Sequence, residues 1–236
     1  MTVHVFLDFD GTISPLDVGN ELFRTWGSFE PLHGQLVAGE ITVAEYYNRS
    51  VHCLRPELTP EALNQWALGF HVDPGFARIV SLARDNDATV TIVSDGFDAY
   101  INPLLSKSGV TPLPPIRCNI LVHEGGRYSA KFPGASESCS CYCASCKRNV
   151  VISPVAEDDV VVYVGDGLSD VCAAEHADIV FAKHTLAREC TKRGIPHHHY
   201  HTLSDVHIQL QRYFENTTFR QRRRAVLARK RAFEWE

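Results

Sequence analysis

Two aspartates, Asp8 and Asp10, stand two residues apart near the start of the chain, at the end of an apolar run. In a β-strand, residues at this spacing point to the same face, so the two carboxylates would lie side by side. Neighbouring carboxylates repel each other unless a proton or a cation offsets their charge. Hard oxygen ligands suit Mg²⁺, which also binds phosphate oxygens. Taken alone, however, the pair could equally be solvated acids in a turn.

The rest of the chain supplies the other groups that metal-assisted phosphoryl transfer requires. This chemistry needs positioning, charge neutralisation, a nucleophile and a proton shuttle. Two further acids, Asp166 and Asp170, flank a glycine-rich turn. An anion site needs small hydroxyls, free backbone N–H groups and a cation, and the residues that can provide them are Thr12, Ser94, Gly96 and Lys147. The combination favours a phosphate site over solvated acids.

The elements that must position these residues are predicted from the hydrophobic pattern. Mostly apolar runs, typical of strands in a parallel sheet covered on both faces, occupy residues 2–9, 89–93, 160–164 and 178–182. Helical patterns lie between them, at residues 74–84, 97–105 and 170–177. The alternation predicts an α/β fold, a doubly wound, Rossmann-type parallel sheet. Because ligands bind beyond the carboxyl ends of such strands, we expect Asp8, Ser94 and Asp166 to converge if their strands are neighbours.

Two stretches interrupt the alternation. Residues 16–70 contain no convincing strand but three helical patterns, at residues 16–26, 43–54 and 60–68. This is too long for an ordinary crossover, so we predict an inserted helical cap. Residues 117–146 form a second, irregular insert with a hairpin signal at Gly125-Gly126. The predicted organisation is a core of residues 1–15 and 71–215, a cap of residues 16–70 and a basic helical tail of residues 216–236.

The order of the polar segments resembles the haloacid dehalogenase (HAD) superfamily of phosphatases, in the branch that includes phosphoserine phosphatase. The family's Asp-x-Asp-x-Thr motif matches residues 8–12, and its Ser or Thr at a strand end matches Ser94. Its lysine matches Lys147, with Lys131 as a nearby competitor, and Gly-Asp-Gly-x-x-Asp matches residues 165–170. The resemblance covers roughly residues 3–200 and implies a HAD-like core with a helical cap.

The resemblance implies a role for each matching residue. Asp8 would attack phosphorus and form an aspartyl-phosphate, and Asp10 would protonate the leaving oxygen and then activate water. Mg²⁺ would be held by the Asp8 carboxylate, the Asp10 backbone carbonyl and Asp166, with Asp170 completing or bracing the site. Four residues would bind the phosphoryl group: Thr12, Ser94, Gly96 and Lys147. Thr12 has an alternative role as a helix or turn cap.

The cap is expected to select the substrate. Asp17 lies where phosphoserine phosphatases usually carry a Glu that reads the substrate's amino group; alternatively it caps the following helix. Ser50 lies near where those enzymes use an Arg for the substrate carboxylate, although Arg49 and Arg55 flank it. The segment Cys143–Lys147 instead resembles 2-hydroxy-3-keto-5-methylthiopentenyl-1-phosphate phosphatases and phosphoethanolamine/phosphocholine phosphatases.

Four of the eight cysteines form a cluster, Cys139, Cys141, Cys143 and Cys146. Four thiolates could bind Zn²⁺, although structural zinc sites more often use two separated pairs. The alternatives are a redox-sensitive pair or inert thiols. With no signal-peptide pattern and no apolar run long enough for a membrane span, we expect reduced thiols in a cytoplasmic protein.

The charge is distributed unevenly. Residues 216–236 carry seven basic and two acidic residues, whereas the chain as a whole has a net charge of −5. The arginine-rich segment 220–231 could bind nucleic acid, but no aromatic stacking pattern accompanies it, so we expect a helix that packs on the acidic body or on a second subunit. The histidine tract, His197, His198, His199 and His201, could bind a metal but is better explained by a short surface strand.

The sequence therefore predicts a Mg²⁺-dependent phosphomonoesterase that acts on a small phosphorylated metabolite. The alternatives are phosphoserine phosphatase itself, a phosphotransferase that passes the phosphoryl group to another acceptor, and a phospho-ligand sensor without catalysis. We expect no membrane partner and no nucleic acid partner, and a homodimer is compatible with the tail. The sequence does not single out one phosphate ester.

Overall fold

A computed structural model describes residues 1–136 and 144–234. In this part of the chain a seven-stranded sheet runs through the centre of the molecule. Its strands are β1 (Val3–Asp8), β2 (Thr89–Phe97), β3 (Ile116–Glu124), β4 (Arg127–Lys131), β5 (Val160–Gly165), β6 (Ile179–Ala182) and β7 (His198–His199). Their order is β4-β3-β2-β1-β5-β6-β7, and all neighbours are parallel except the antiparallel pair β3–β4. The predicted α/β class with a mainly parallel sheet is confirmed.

The helices connect the strands and cover the sheet. In chain order they are α1 (Val18–Trp26), α2 (Leu32–Val37), α3 (Val43–His52), α4 (Pro60–Ala67), α5 (Gly75–Asp85), α6 (Asp98–Ser106), α7 (Lys147–Ile152), α8 (Val171–His176), α9 (His184–Arg193), α10 (Leu203–Glu215) and α11 (Arg223–Glu234). A 3₁₀ turn at Leu168–Asp170 precedes α8. The helical segment between β1 and α5 corresponds to the predicted cap; its independence as a domain stays a prediction.

Two hydrophobic cores lie on opposite faces of the sheet. Val5 and Leu7 of β1 join one cluster, whereas Phe6 between them joins the other. Both faces of the central strands are therefore buried, and this explains their continuous apolar sequences. The first core also includes Leu22 and Phe23 of α1 and Tyr46 of α3, so the helices after β1 pack on the same apolar cluster as the sheet.

The second insert contains more regular structure than we predicted. Its first part is β3, which pairs in parallel with β2, and the expected hairpin forms between β3 and β4. Gly125 and Gly126 have φ values of 58° and 76°, a conformation that glycine adopts without strain. Only Asn119 and Leu121 of β3 are buried, so its sequence lacks the continuous apolar run of the central strands.

The carboxyl ends of β1, β2 and β5 meet at one edge of the sheet. β1 lies between the other two, with Asp8 opposite Val93 and Leu7 opposite Val164. Asp8 at the end of β1, Ser94 within β2 and Asp166 directly after β5 are therefore brought to this edge, as expected from the sequence, although β2 continues beyond the predicted run to Phe97. None of the helices in the described ranges is both long and apolar enough to cross a bilayer.

The basic tail forms α11 and packs against α8. Arg229 and Asp178 form a buried ion pair at 3.1 Å. Arg222, just before the helix, donates to the backbone carbonyls of Ala174, Glu175 and Ala177 at the end of α8. Packing of the tail on the body, one of the two outcomes expected for a helix here, is thus observed.

The histidine tract contains the short strand that we predicted. His198 stacks on Phe181 with ring centroids 5.1 Å apart, and its Nε2 lies 2.7 Å from the Tyr213 hydroxyl. This histidine therefore has a packing role.

Candidate active site

One buried lysine joins two of the predicted acids. The Nζ of Lys147, at the start of α7, lies 2.6 Å from Asp8 Oδ1 and 2.7 Å from Asp170 Oδ1, and it also donates to the Ser169 hydroxyl at 3.1 Å. The lysine is 2% exposed. Lys131, the competitor in the sequence, pairs with Ile120 in the β3–β4 hairpin. Lys147 is therefore the cation of this cluster.

Asp170 is held by donors on both of its carboxylate oxygens. Oδ1 accepts from the Tyr163 hydroxyl at 2.6 Å as well as from Lys147. Oδ2 accepts from the backbone N–H groups of Asp166 and Gly167, each at 2.9 Å. This carboxylate therefore fixes the turn after β5, and with it the position of Asp166.

Three carboxylates could share one metal ion. Asp8, Asp166 and Asp170 each offer an oxygen, and these three oxygens lie within 4.8 Å of one another. It is the one group of three or more potential ligands found among the described residues. Oxygen ligands of this kind fit Mg²⁺. The Gly11 backbone, at φ +77°, approaches so closely that a Cβ there would lie 2.5 Å from Asp166 Oδ2.

Two of the acids at this site, Asp8 and Asp166, have raised pKa values. Burial raises the pKa of Asp8 well above its ordinary value, and the charges of Asp170 and Asp166 raise it further while Lys147 opposes the rise. Burial and the charge of Asp170 raise the pKa of Asp166 to about 6. A divalent cation would remove this penalty on the charged forms. The electrostatics therefore agree with a cation site.

Asp10 makes a separate set of contacts. Its Oδ1 accepts from the backbone N–H groups of Val18 at 2.8 Å and Gly19 at 3.3 Å, at the start of α1. Its Oδ2 accepts from the Tyr100 hydroxyl at 2.8 Å. Burial, and then the charge of Asp17, raise the pKa of Asp10 to about 7. A carboxyl that titrates near neutral pH is suited to proton transfer.

The predicted phosphate-binding residues do not all reach the site. Ser94, Gly96 and Lys147 line one cavity together with Asp8, Asp10 and Asp166. The Ser94 hydroxyl accepts from the Gly96 N–H at 2.9 Å. Thr12 is not among the lining residues. Its hydroxyl is buried and lies 3.3 Å from the Tyr200 hydroxyl, which is a tertiary contact and not a helix or turn cap.

This cavity has a volume of about 740 Å³ and lies between the sheet edge and helices α1 to α3. Asp17 lines it and also caps α1, since its oxygens accept from the Asn20 backbone N–H at 2.7 Å and side-chain amide at 2.6 Å. The other lining residues from this helical segment include Asn20, His33, Glu40, Glu45, Tyr46 and Tyr47. Lys147 is the one lysine or arginine among the lining residues that the structure describes.

Ser50 is not among the residues that line this cavity. It is fully buried within α3, and neighbouring Arg49 donates to the Gln35 side chain at 3.0 Å. A larger cavity of about 1000 Å³ lies elsewhere, lined by residues such as Pro112, Pro115 and Arg117, and it contains none of the site aspartates.

The cysteine cluster is only partly described. Cys139, Cys141 and Cys143 lie outside the described residues, so zinc binding or redox pairing stays a prediction. Cys146 is buried, and its backbone N–H donates to the Gly134 carbonyl at 2.7 Å, directly before Lys147.

Sequence reasoning missed several residues around the site. Tyr100, Tyr163 and Ser169 contact the predicted acids or the lysine. Lys183, after β6, is buried with its ammonium 5.0 Å from the Tyr200 ring centroid, and its charge lowers the pKa of Asp166. Only the position of Ser169 inside the Gly-Asp-Gly-x-x-Asp segment could have drawn attention to it. The others reach the site through tertiary packing.

Residues 5–175 match the haloacid dehalogenase-like hydrolase family. A 2-hydroxy-3-keto-5-methylthiopentenyl-1-phosphate phosphatase of Bacillus cytotoxicus is 27% identical over 218 residues, covering 91% of this chain and 99% of the relative. A protein of the same name from Brevibacillus brevis is 30% identical over 210 residues, covering 86% and 92%. The crystal structure of phosphoserine phosphatase from T. onnurineus aligns with a TM-score of 0.66 and 18% identity, covering 89% of this chain and 94% of that one.

The family match extends over well more than half of the chain and includes most of β1 and all of β2 and β5. The chain therefore belongs to the haloacid dehalogenase-like hydrolase family, and its fold is that of the phosphoserine phosphatase-like branch.

Proposed function

We propose that the chain is a Mg²⁺-dependent phosphatase that hydrolyses the monoester of a small metabolite through an aspartyl-phosphate at Asp8. As a member of its family, it is a phosphoric monoester hydrolase. The observation that carries the finer proposal is the group of Asp8, Asp166 and Asp170, in which buried Lys147 contacts Asp8 and Asp170. The expected cytoplasmic location and the homodimer stay predictions.

In this proposal each group has one task. The Asp8 carboxylate attacks phosphorus, and the ester oxygen leaves with a proton from Asp10. Asp10 then takes a proton from the water that attacks the phosphoryl group, which releases phosphate and regenerates Asp8. Lys147, whose ammonium is 2.6 Å from Asp8, offsets negative charge at the phosphoryl group, and Ser94 and Gly96 line the same cavity.

The metal has a defined place in this scheme. Asp8, the Asp10 backbone carbonyl and Asp166 would hold Mg²⁺, with Asp170 bracing the site. When bound, Mg²⁺ supplies positive charge that stabilises the phosphoryl oxygens. The three carboxylate oxygens within 4.8 Å support this assignment.

The charge of the cavity bears on the substrate. Phosphoserine carries a carboxylate, and its binding would favour a second cation beyond the phosphate site. Apart from Lys147 and the titratable His33, the charged side chains among the described lining residues are acidic. We therefore favour a substrate without a carboxylate. 2-Hydroxy-3-keto-5-methylthiopentenyl-1-phosphate, which two of the relatives are named for, meets this condition.

A direct test uses the purified protein with p-nitrophenyl phosphate and Mg²⁺. Asp8→Asn is expected to lower kcat by at least about a thousandfold, because it removes the nucleophile. A chelator should abolish hydrolysis, and Mg²⁺ should restore it. Asp158→Asn, which changes an exposed aspartate, is the matched control. Hydrolysis by Asp8→Asn at the wild-type rate would contradict the proposal.

A substrate panel tests the specificity. It contains phosphoserine, phosphoethanolamine, phosphocholine and the enol phosphate 2-hydroxy-3-keto-5-methylthiopentenyl-1-phosphate. We expect the enol phosphate to have a higher kcat/KM than phosphoserine. A preference for phosphoserine would overturn the argument from the cavity charge. Added alcohols distinguish a phosphotransferase, which would form new esters, from a hydrolase, which would release phosphate.

A further inference from the structure

The carboxyl of Asp10 is fixed by donors from two different parts of the fold. Backbone N–H groups of α1 bind one oxygen, and the hydroxyl of Tyr100, on α6, binds the other at 2.8 Å. Tyr100 is fully buried and lies in the apolar core, with its ring centroid 6.2 Å from that of Phe9. A buried tyrosine hydroxyl usually finds a hydrogen-bond partner, and here that partner is Asp10.

Two glycines make room for this hydroxyl. A Cβ at Gly96 would lie 1.9 Å from the Tyr100 hydroxyl oxygen and 2.6 Å from Asp10 Oδ2. A Cβ at Gly19 would lie 3.0 Å from the same hydroxyl. Cβ contacts below 3.0 Å are essentially never seen in real proteins. Gly96, which the sequence suggested as a phosphate-binding residue, therefore also provides the space for the bond between Tyr100 and Asp10.

We propose that Tyr100 is a positioning residue whose hydroxyl holds the Asp10 carboxyl in the orientation needed for proton transfer. The proposal rests on the proposed function, in which Asp10 gives its proton to the leaving oxygen and later takes one from water. A tyrosine hydroxyl can donate or accept and can rotate, so it can stay bonded to Oδ2 in both protonation states. Tyr100 itself exchanges no proton with the substrate. Its contribution is orientation, on which catalytic rates depend strongly.

Tyr100→Phe tests this role because it keeps the ring and removes only the hydroxyl. With an alkyl phosphate, whose leaving oxygen needs a proton, we expect kcat to fall by at least about tenfold. This is a fraction of the rate increase that general acid–base catalysis typically provides. KM should change less than about twofold. Tyr128→Phe is the control, since Tyr128 is also largely buried but lies in β4 and does not line the cavity.

Substrates with different leaving groups distinguish a loss of Asp10 orientation from a general disturbance of the active site. The aryl leaving group of p-nitrophenyl phosphate needs no proton, so Tyr100→Phe should form the phosphoenzyme at close to the wild-type rate. Breakdown still requires Asp10 to activate water, so the acid-quenched steady-state fraction of phosphoenzyme should rise. A merely structural role would slow both steps and would not increase this fraction.

A second variant tests the same contact from the other side. Gly96→Ala places a methyl group against the Tyr100 hydroxyl and against Asp10 Oδ2, and we expect at least the same loss of kcat on an alkyl phosphate. In the double variant with Tyr100→Phe, the two losses should combine less than multiplicatively, because both disturb the orientation of the Asp10 carboxyl.

The outcomes distinguish the two proposals. Wild-type kinetics in Tyr100→Phe on both substrates, together with a wild-type phosphoenzyme at Asp8, would overturn the role of Tyr100 and leave the proposed function intact. Equal slowing of phosphoenzyme formation and breakdown in Tyr100→Phe would also overturn it. Absence of any phosphoenzyme in the wild-type protein would contradict the proposed function itself.

Discussion

At the scale of single residues, the site is an arrangement of acids around one lysine. Lys147 contacts Asp8 and Asp170 directly, while Asp166 and Asp95 lie close enough to interact electrostatically with its charge. Burial, together with repulsion from Asp170, raises the pKa values of Asp8 and Asp166, and the single charge of Lys147 only partly opposes this rise. A divalent cation would supply the missing charge.

The first prediction concerns this cation. Asp166→Asn is expected to raise the dissociation constant for Mg²⁺ at least about tenfold, because it replaces a charged oxygen ligand with a neutral one. Isothermal titration of the chelator-treated protein with Mg²⁺ measures the effect. Asp158→Asn, at an exposed position, should bind Mg²⁺ as the wild type does. Equal affinity in Asp166→Asn and the wild type would exclude Asp166 as a ligand.

The second prediction concerns Asp95, whose carboxylate accepts from the Ser145 N–H at 3.1 Å. Burial raises the pKa of Asp95 to about 6, although Lys147 opposes the rise. Because the folded-state pKa lies above the ordinary value of 3.8, the folded state binds the proton more tightly than the unfolded state. Stability from this group is therefore fully present below about pH 4 and is lost as the pH rises to 6.

Asp95→Asn removes this titration and retains an acceptor for Ser145. The melting temperature of the variant relative to the wild type should therefore increase between pH 4.5 and 7. Thermal unfolding in chelator across this range is the measurement. A difference that does not change with pH would show that Asp95 has an ordinary pKa.

At the scale of elements, buried polar groups and close backbone contacts fix how the helices meet the sheet. The Asp73 carboxylate accepts from Gly75 N at 2.8 Å and from Leu203 N at 3.0 Å, and so joins the first turns of α5 and α10. At Gly75 the helices approach so closely that a Cβ would lie 2.4 Å from the backbone carbonyl carbon of Leu203. The contact between α5 and α10 therefore requires glycine at position 75, because there is no space for a side chain.

The third prediction follows from this contact. Gly75→Ala should lower the free energy of unfolding by about 1–3 kcal/mol, the usual cost of overpacking a well-packed contact. Urea unfolding followed by circular dichroism measures it. Gly34→Ala in α2 is the matched control, because the nearest atom there is the flexible Glu30 carboxylate at 3.1 Å. A wild-type stability for Gly75→Ala would mean that α5 and α10 can move apart at no cost.

The elements also show what the sequence could predict. β1, β2 and β5 were predictable because each contains a mainly apolar, mostly buried run that is followed by polar residues. α2 was not, since it has six residues and only Leu32 is buried. The convergence of Asp8, Ser94 and Asp166 was expected on the condition that their strands are neighbours, and the observed strand order meets this condition. The contacts of Tyr100 and Thr12 depend on how α6 and the segment after β7 pack, which local patterns do not encode.

At the scale of the whole molecule, ion pairs hold the basic tail against the acidic body of the protein. Lys230 pairs with Glu157 at 2.9 Å on the surface, whereas Arg229 and Asp178 pair in the interior. The exposed pair contributes little to stability, but the buried pair cannot lose one partner without leaving an uncompensated charge. Some of the basic residues of the tail therefore pair with acidic residues of the same chain.

The fourth prediction tests the role of this buried pair. Arg229→Ala should destabilise the protein by about 3–5 kcal/mol, because the Asp178 side chain is fully buried. Arg223→Ala, which removes an exposed arginine of the same helix, should change stability by less than about 0.5 kcal/mol. Urea unfolding of both variants makes the comparison. Similar stabilities for the two would mean that the tail is not fastened through Arg229.

The central claim is that Asp8 carries the phosphoryl group during turnover. The wild-type protein is mixed with p-nitrophenyl phosphate and Mg²⁺ and quenched in acid during steady turnover. The acyl phosphate is then reduced with borohydride and located by mass spectrometry. We predict that the modification lies on Asp8 and is absent from Asp8→Asn. A modification on any other residue, or steady hydrolysis with no modified residue, would contradict the account.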